Sequence, residues 1–508
     1  MTNQKYILDS MLVDGKKNGE SVAKASEAKE NQLKTVDGSA KGNQSETGSL
    51  FGIRHLQCFL LFLCLTVAYA LRVNLSVAIV AMTNANSTNP DFPEYTWNEK
   101  TKSLLLSSFF WGYIITQIPG GAIAQKYGAK YCLLIGLLLC SLMAILTPYF
   151  AAIGDWPLVC ALRVVQGLCQ GVLFPSVHTL ISKWAPVDER GKLGTYTYSG
   201  TQFGTVLMLG SSGVIASSSA GWPGIFYISG AVGVLWSIVW YFYGASTPAE
   251  SKSISVEERK FIETSIGSTP NTVKPKTPWL AIFTSIPFYS LIFVHCAHNW
   301  GFWTLLTEIP TYMANILKKD IKSNAVLSAL PYFVMCLLCY VFSFIADLLF
   351  KRGLSLSTSR KVFNTIGQWG PAVALIGLGY TTDATLAIVL LTITVGINSA
   401  TYLGFQMNHI DLSPNFAGTL MGITNCAANV MSIIAPLVVG FIVTDEENAF
   451  QWRIVFFISA AFFFTGNLLF CLFGKTEVQP WNNGPVSRRQ STREAENGTA
   501  RNGPVEST

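Results

Sequence analysis

Residues 55–82, HLQCFLLFLCLTVAYALRVNLSVAIVAM, decide the fold. Among these residues Arg72 is the only Lys, Arg, Asp or Glu. About 20 apolar residues in a helix cross the roughly 30 Å hydrocarbon core of a bilayer, so this run predicts a membrane-spanning helix. It begins too far into the chain and is too long for a cleavable signal peptide. It therefore predicts insertion into a membrane rather than secretion.

Further runs along the chain have similar length and apolar character. Together with the first, they predict twelve transmembrane helices: 55–82, 103–124, 131–152, 156–182, 194–217, 223–244, 284–314, 324–349, 361–381, 384–406, 415–443 and 453–473. A polar segment between the sixth and seventh runs divides the chain into an N-terminal six-helix half (55–244), a cytosolic central loop (245–283) and a C-terminal six-helix half (284–473). The polar ends, 1–54 and 474–508, predict disordered cytosolic tails. The expected fold is an all-α polytopic membrane protein.

The composition excludes several other classes of protein. Hydrophobic residues make up 50% of the 508 residues and charged residues 13%, whereas about 25% are charged in a soluble domain. The net charge of +6 is spread over short clusters, so no basic face for nucleic acid is expected. The sequence has no nucleotide-binding, hydrolase or metal-site motif, and its 11 cysteines fall in apolar runs. We therefore expect neither an enzyme nor a bound cofactor or metal.

Loop charges predict how the helices are oriented in the membrane. With the N terminus inside, the inner loops hold fourteen Lys and Arg, and the outer loops hold only Lys100, Lys102, Lys318, Lys319 and Lys322. The positive-inside rule then places both termini in the cytosol. The first outer loop carries a sequon, Asn86-Ser87-Thr88, which predicts glycosylation at Asn86.

Arginines inside the apolar runs predict an anion-binding site. Arg72 lies deep in the first helix and Arg163 about two turns into the fourth. An ionisable residue there costs about 2.5–3.5 kcal/mol on insertion scales, so each needs a partner or a wet cavity. Central arginines outnumber central carboxylates, which favours an anionic substrate; the alternative is a structural pair with a buried carboxylate. Other residues expected to contact the substrate are Tyr113, Gln166, Gln170, His298 and Asn299.

The seventh helix predicts a coupling site. Glu308 comes two residues before Pro310, and a proline frees backbone carbonyls and bends a helix. A carboxylate beside freed carbonyls suits a bound sodium ion or a proton. His298 is the other central group that changes charge near neutral pH. The alternative for Glu308 is a structural ion pair with Arg72.

The two halves resemble each other and carry motifs typical of a gate. The junctions between helices four and five and between ten and eleven each end a helix near a proline and open the next with small and polar residues. Such a parallel repeat is typical of the major facilitator superfamily, whose site lies between the halves. Residues 121–130, GAIAQKYGAK, resemble its basic loop, with Gln125 in place of the usual Asp. The expected gate residues are Lys126, Lys130, and Asp347 paired with Arg360.

Several stretches resemble one family within that superfamily: YALRVNLSVAIVAM, SFFWGYIITQIPGG, KWAPVDERGKLG, WTLLTEIPTYM and MNHIDLSP. They are similar to the anion:cation symporter family of sodium-phosphate cotransporters, sialin and vesicular glutamate transporters. The resemblance implies alternating access, with Arg72, Arg163 and Tyr113 at the positions of intramembrane family residues. Gln166 and Gln170 stand where sialin-like members have glutamates, so the resemblance does not transfer proton coupling to them. RVVQGLCQG resembles the phosphate-cotransporter members.

The sequence therefore predicts a secondary active transporter in the plasma membrane or in a vesicular or lysosomal membrane. It is expected to move inorganic phosphate or a small organic anion by symport with Na⁺ or H⁺. Its expected partners are the anion and the lipid bilayer, and we expect a monomer. The alternatives are a voltage-driven organic anion carrier, a channel-like anion conductance and a transporter-shaped sensor.

Overall fold

The structure is a computed structural model that describes residues 52–483, except 84–88, 90, 268–275, 317–320, 382 and 446. Within the helices, it does not describe the side chains of residues 99, 306–311, 313–315 and 321–329. Helices make up 85% of the structure, and the described ranges contain no strand. The prediction of an all-α membrane protein is confirmed.

Six membrane crossings form the N-terminal half. Its helices are α1 (Ile53–Met82), α2 (Glu99–Tyr127), α3 (Ala129–Gly171), α4 (Leu173–Trp184), α5 (Arg190–Ser217) and α6 (Gly221–Tyr243). Helix α3 contains a kink at Asp155, which has φ 50° and ψ −153°, followed by Pro157. The residues before the kink form the third crossing, and the residues after it form the fourth together with α4.

The C-terminal half follows a connecting segment that contains two short helices, α7 (Val256–Ile266) and α8 (Trp279–Phe283). The remaining helices are α9 (Ile286–Asn315), α10 (Ile321–Lys351), α11 (Leu356–Tyr380), α12 (Ala384–Asn398), α13 (Phe405–Leu412), α14 (Ala417–Ile442) and α15 (Ala449–Phe473). Helices α12 and α13, joined by a 3₁₀ turn at Ser399–Tyr402, make the tenth crossing. The helix ends lie within a few residues of the predicted ones.

Hydropathy alone identifies only part of this bundle. Within the described residues, seven segments are long and apolar enough to cross a membrane, and one of them, Ala129–Trp184, spans two crossings. Helix α5 is not among them, because its buried side chains include Thr195, Thr197, Ser199 and Thr201. A helix packed between other helices tolerates small polar side chains that a lipid-facing helix does not.

A buried ion-pair cluster ties α1 to the connecting segment. The Arg54 guanidinium contacts Glu189 (Nε to Oε2, 2.7 Å) and Glu258 of α7 (Nη1 to Oε1, 3.1 Å). Glu258 also accepts hydrogen bonds from the backbone N–H groups of Ile53 and Arg54, at 2.9 and 3.1 Å, which satisfies the first turn of α1. Residues 1–51 of the predicted tail lie outside the described residues, but Arg54 belongs to α1. The predicted central loop likewise contains a docked helix.

Replacing Arg54 by Gln is expected to lower the free energy of unfolding by about 3–5 kcal/mol, because it leaves the buried Glu258 carboxylate without its cation. Arg259→Gln is the control, since its ion pair with Glu263 is partly exposed and is expected to contribute less than about 1 kcal/mol. Thermal unfolding of both purified variants by tryptophan fluorescence tests this. Equal midpoints in the two variants would contradict the structural role of Arg54.

Candidate functional site

A polar cavity of about 60 Å³ lies between the two halves. The N-terminal half lines it with Tyr69, Arg72, Tyr113, Phe174, Thr201 and Gln202. The C-terminal half lines it with His295, His298, Asn299, Phe302, Trp303, Tyr402, Gln406, Asn425 and Asn429. Arg72 is the one permanently charged residue in this set, and the set contains no carboxylate. The lining therefore gives the cavity a positive charge with many neutral hydrogen-bonding groups.

Aromatic rings surround the Arg72 guanidinium. Its central carbon lies 4.4 Å from the ring centre of Tyr113, 4.7 Å from that of Tyr69 and 5.0 Å from that of Phe109. A cation over an aromatic face gains roughly 0.5–2 kcal/mol without being neutralised. Among the side chains that the structure describes, no carboxylate forms an ion pair with Arg72. Its positive charge therefore remains available to an anion in the cavity.

Arg163 lies behind Arg72 and does not line the cavity. Its Nη2 donates to the backbone carbonyl of Arg72 at 3.0 Å, and its Nη1 donates to Gln166 Oε1 at 2.9 Å and to the carbonyl of Leu71 at 3.4 Å. Gln170 Nε2 likewise donates to the carbonyl of Ala68 at 2.9 Å. Arg163 and Gln170 of the fourth crossing therefore bind the backbone of α1, and Gln166 binds the Arg163 guanidinium. The expectation that they line the cavity with Arg72 is wrong, because their face of α3 packs against α1.

Arg163→Gln is expected to destabilise the fold by about 2–3 kcal/mol, because it removes charged hydrogen bonds to otherwise buried carbonyls. Arg72→Gln is the matched comparison, since its guanidinium makes no hydrogen bond to a backbone carbonyl of the described residues. Thermal unfolding of both variants, without chemical denaturant, measures the difference. If Arg163→Gln unfolds at the same temperature as Arg72→Gln, the structural role of Arg163 is refuted.

The opposite wall consists of neutral groups. Asn425 Nδ2 donates to Tyr113 Oη at 3.3 Å, which joins the halves across the cavity. Asn299 Nδ2 donates to Ser432 Oγ at 3.3 Å, and the ring of His298 stacks on Phe302. The structure thus places Tyr113, His298 and Asn299 in the cavity wall, and their contact with a substrate stays a prediction.

Sequence reasoning missed other lining residues, among them the polar residues Tyr69, Gln202, Gln406, Asn425 and Asn429. One signal was available for the last two. Asn425 and Asn429 are four residues apart in an otherwise apolar run, so they share a helix face. Amides on one face of a membrane helix indicate a polar neighbour or a cavity.

An ion cluster joins the halves at the terminal side, the face of the bundle where α1 begins and α15 ends. Asp411 accepts from Arg360 Nε at 2.7 Å and lies 3.8 Å from Arg190 Nη1 of the N-terminal half. Arg360 Nη1 also donates to the carbonyl of Leu403 at 2.8 Å. Asp411 is therefore shared by one arginine from each half. This is the arrangement expected of a gate that closes one side of the cavity.

Of the residues predicted for the gate, Arg360 belongs to this cluster, and Lys126, Lys130 and Asp347 lie elsewhere. Asp347 pairs with Lys351 at 2.9 Å on the same helix, so the expected Asp347–Arg360 pair is wrong: Arg360 is buried and points at Asp411. Lys130 Nζ donates to the carbonyl of Tyr241 at 2.8 Å, where it binds the end of α6 within its own half. The Lys126 ammonium lies 4.9 Å from the ring centre of its neighbour Tyr127.

Two predicted residues cannot be placed in this site. The backbone of Glu308 belongs to α9, but its side chain lies outside the described residues, and so does Asn86. The coupling role of Glu308, its pairing with Arg72 and the glycosylation of Asn86 therefore stay predictions.

The helical membrane fold and the polar cavity between its two halves are typical of a membrane transporter. The family model of the Major Facilitator Superfamily matches residues 61–436. The chain belongs to this superfamily and, within it, to the family that contains sodium-phosphate cotransporters, sialin and vesicular glutamate transporters.

Relatives along most of the chain support this assignment. A Drosophila melanogaster protein described as "Putative inorganic phosphate cotransporter" is 40% identical, with 85% of this chain and 87% of the relative covered. Human sialin is 38% identical (84% and 90% covered), and vesicular glutamate transporter 1 of Xenopus tropicalis is 35% identical (82% and 73% covered). The solved structure of the proton:xylose symporter XylE has a TM-score of 0.64 at 16% identity, covering 82% of this chain and 96% of that one. This likeness confirms the fold.

Proposed function

We propose that this chain moves a small anion, inorganic phosphate or a small organic anion, by cation-coupled symport through alternating access. One observation carries the proposal. Arg72 is a buried cation in the wall of a cavity between the halves, and no described carboxylate pairs with it. A buried cation without a fixed counter-ion is costly in a membrane protein, and a substrate anion compensates for it.

The relatives support an anion as the cargo. Their names include an inorganic phosphate cotransporter, sialin and a glutamate transporter. In our proposal the anion accepts hydrogen bonds from the Arg72 guanidinium, and the amides of Asn299 and Asn425 donate to its other polar groups. The guanidinium fits the planar, bidentate geometry of a carboxylate or phosphate.

The contacts between the halves support alternating access as the mechanism. In the proposed cycle the Arg190–Asp411 contact keeps the terminal side closed while the anion is held in the cavity, and the contact separates when the anion is released. The positive-inside rule predicts that the terminal side faces the cytosol, and in that orientation release delivers the anion to the cytosol. We propose that the coupling cation is Na⁺ or H⁺, with Glu308 and His298 as candidate binding groups. The membrane is the plasma membrane or a vesicular or lysosomal membrane.

Uptake into proteoliposomes tests the function. Radiolabelled phosphate, sialate, urate and glutamate are each supplied under an imposed sodium, proton or voltage gradient. We expect saturable accumulation of at least one anion that depends on a sodium or proton gradient. Uptake driven by voltage alone would favour the alternative of a voltage-driven organic anion carrier. Non-saturable flux would favour a channel-like conductance, and the absence of flux for all four anions would contradict the proposal.

A further inference from the structure

Four of the 5 histidines in the sequence converge between the halves. His178 comes from α4, His409 from α13, and His295 and His298 from α9. The ring centres of His178 and His409 are 5.3 Å apart, and those of His295 and His409 are 5.9 Å apart. Histidine is the side chain that changes charge most readily near neutral pH, so the protonation states of this cluster can depend on pH.

Hydrogen bonds connect three of these rings in one chain. His178 Nδ1 is bonded to Tyr198 Oη. His178 Nε2 and His409 Nδ1 both lie at hydrogen-bond distance from the backbone carbonyl of Gln406, at 2.9 and 3.0 Å. His409 Nε2 lies 2.7 Å from Thr424 Oγ1, which is also 3.0 Å from His295 Nδ1. His295 lines the cavity, so the chain runs from the cavity to the contact between the halves.

The partners fix where the protons are. A carbonyl oxygen only accepts, so His178 Nε2 and His409 Nδ1 both carry hydrogen. In a neutral ring His409 Nε2 is then an acceptor. It takes the hydroxyl hydrogen of Thr424 at 2.7 Å, in preference to the Met421 carbonyl, which lies 3.4 Å from the same oxygen. The Thr424 oxygen in turn accepts from His295 Nδ1–H. All three rings are neutral in this arrangement, and no described residue occupies His295 Nε2 with a hydrogen bond.

This arrangement can move one proton in a defined direction. A proton from cavity water binds His295 Nε2; the Nδ1–H bond of His295 breaks as an O–H bond forms on Thr424, and the original Thr424 hydrogen passes to His409 Nε2. His295 ends neutral with its hydrogen on Nε2, Thr424 keeps one hydrogen, and His409 becomes the cation. The transfer stops there, because the amide carbonyl of Gln406 accepts a hydrogen bond but does not pass on a proton.

Charged and titratable residues lie on the elements packed against α13, the helix of His409. His178 and His295 contact the His409 ring, and the other such residues on these elements include Arg190 and Tyr198 of α5, Arg360 of α11 and Tyr402 of the 3₁₀ turn. Asp411, on the same helix as His409, is already engaged by Arg360 and Arg190. Helix α14 presents the uncharged Thr424. While the terminal side is closed, protonated His409 therefore has no free carboxylate partner among the described side chains. Once that side opens, water stabilises the protonated form.

We propose that His409 is the proton-binding site of this transporter, loaded from the cavity through His295 and Thr424, and that its protonation opens the terminal side. The inference rests on the proposed function, which it deepens by identifying the coupling ion as H⁺. A proton that enters from the cavity favours opening of the terminal side. Because opening follows proton binding, the movement of the proton is coupled to the movement of the anion.

The distance between the halves measures the opening without any substrate. Spin labels are attached through noncanonical amino acids at positions 192 and 352, which are exposed at the terminal side, one in each half. The full-length protein in nanodiscs is compared between about pH 7.5 and about pH 5.5, the range in which histidine changes charge. We expect the distance to lengthen at the lower pH, to remain short in His409→Gln, and to lengthen normally in the control His55→Gln. No response in the unmodified chain, or a normal response in His409→Gln, would overturn the proposal.

A direct titration keeps the test independent of the variant's folding. Imidazole C2 hydrogen exchange, followed by mass spectrometry of the unmodified chain, reports the protonation of His409 itself. We expect the exchange rate at His409 to change in the same pH range as the distance. A constant rate at His409 while the distance changes would assign the response to another group and overturn the proposal.

The relay makes a separate prediction for transport. In proteoliposomes supplied with labelled phosphate or sialate, Thr424→Val is expected to lose uptake driven by a proton gradient. In nanodiscs it is expected to lose the distance response as well, whereas Thr424→Ser keeps both. Full proton-driven uptake in Thr424→Val would overturn the relay. A distance response without transport of any anion would contradict the proposed function alone, and proton-driven uptake without a distance response would contradict the His409 site alone.

Discussion

Replacing Arg72 by Gln is expected to abolish anion uptake while the protein remains folded. The substitution removes the one permanent charge from the described cavity lining. Truncating one partner of a buried charge pair costs about 2–5 kcal/mol of binding free energy, which corresponds to about 30-fold or more in affinity. The measurement is initial uptake of the labelled anion into proteoliposomes over a range of concentrations, with the amount of reconstituted protein matched.

Arg72→Lys separates charge from geometry. It keeps the positive charge but loses the planar guanidinium. In our proposal that group binds two oxygens of the anion, and it stacks on the rings of Tyr69, Phe109 and Tyr113. We expect partial uptake with a weakened apparent affinity. Normal uptake in Arg72→Gln would show that the anion binds elsewhere. Loss of uptake accompanied by an unfolding midpoint as low as that of Arg163→Gln would show that Arg72 acts through the fold.

Gly167→Ala is expected to prevent normal assembly of the N-terminal half. A Cβ at this position would overlap the carbonyl oxygen of Phe109 and come within 2.8 Å of the Tyr113 nitrogen, because α2 and α3 pack backbone to backbone. Both atoms belong to the backbone, so no side-chain rotation relieves the clash. We expect a loss at or above the 1–3 kcal/mol that is typical of overpacked cores. The yield of monodisperse protein after detergent extraction measures it.

Gly210→Ala is the matched control, since nothing lies within 4 Å of its Cβ position. In an exposed helix interior alanine is about 1 kcal/mol more favourable than glycine, so this variant is expected to be as stable as the parent or slightly more stable. Equal yields from Gly167→Ala and Gly210→Ala would contradict the close packing of α2 on α3. The close packing at Gly167 also explains the position of Tyr113. The Tyr113 backbone lies against Gly167, and its ring lies against the Arg72 guanidinium.

The order and limits of the helices could be predicted from the sequence because the bilayer requires a minimum apolar length. Residues 55–82 satisfy that requirement with one charged residue, and the observed α1 begins only two residues earlier. The exception is instructive. Arg54 looks like part of a polar tail in the sequence, but Glu189 and Glu258, both distant in sequence, draw it into the first helical turn.

The orientation of polar side chains was less predictable. Arg72 and Arg163 both lie inside apolar runs, and only the packing of α3 against α1 shows that Arg163 bonds to the backbone while Arg72 lines the cavity. The acidic partner of Arg360 in the gate was missed for a similar reason. Arg360 has two possible acidic partners in the sequence, Asp347 and Asp411, and the choice depends on tertiary contacts between α11 and α13.

Counterflow most directly tests the central claim that an anion bound at Arg72 is exposed alternately to the two sides. Proteoliposomes are loaded with an unlabelled anion that the protein transports, diluted into a trace of the same labelled anion without any ion gradient, and followed over time. We predict a transient accumulation of label above the outside concentration, which is absent in Arg72→Gln. Label that rises only to the outside concentration, at the same rate in Arg72→Gln, would contradict the account.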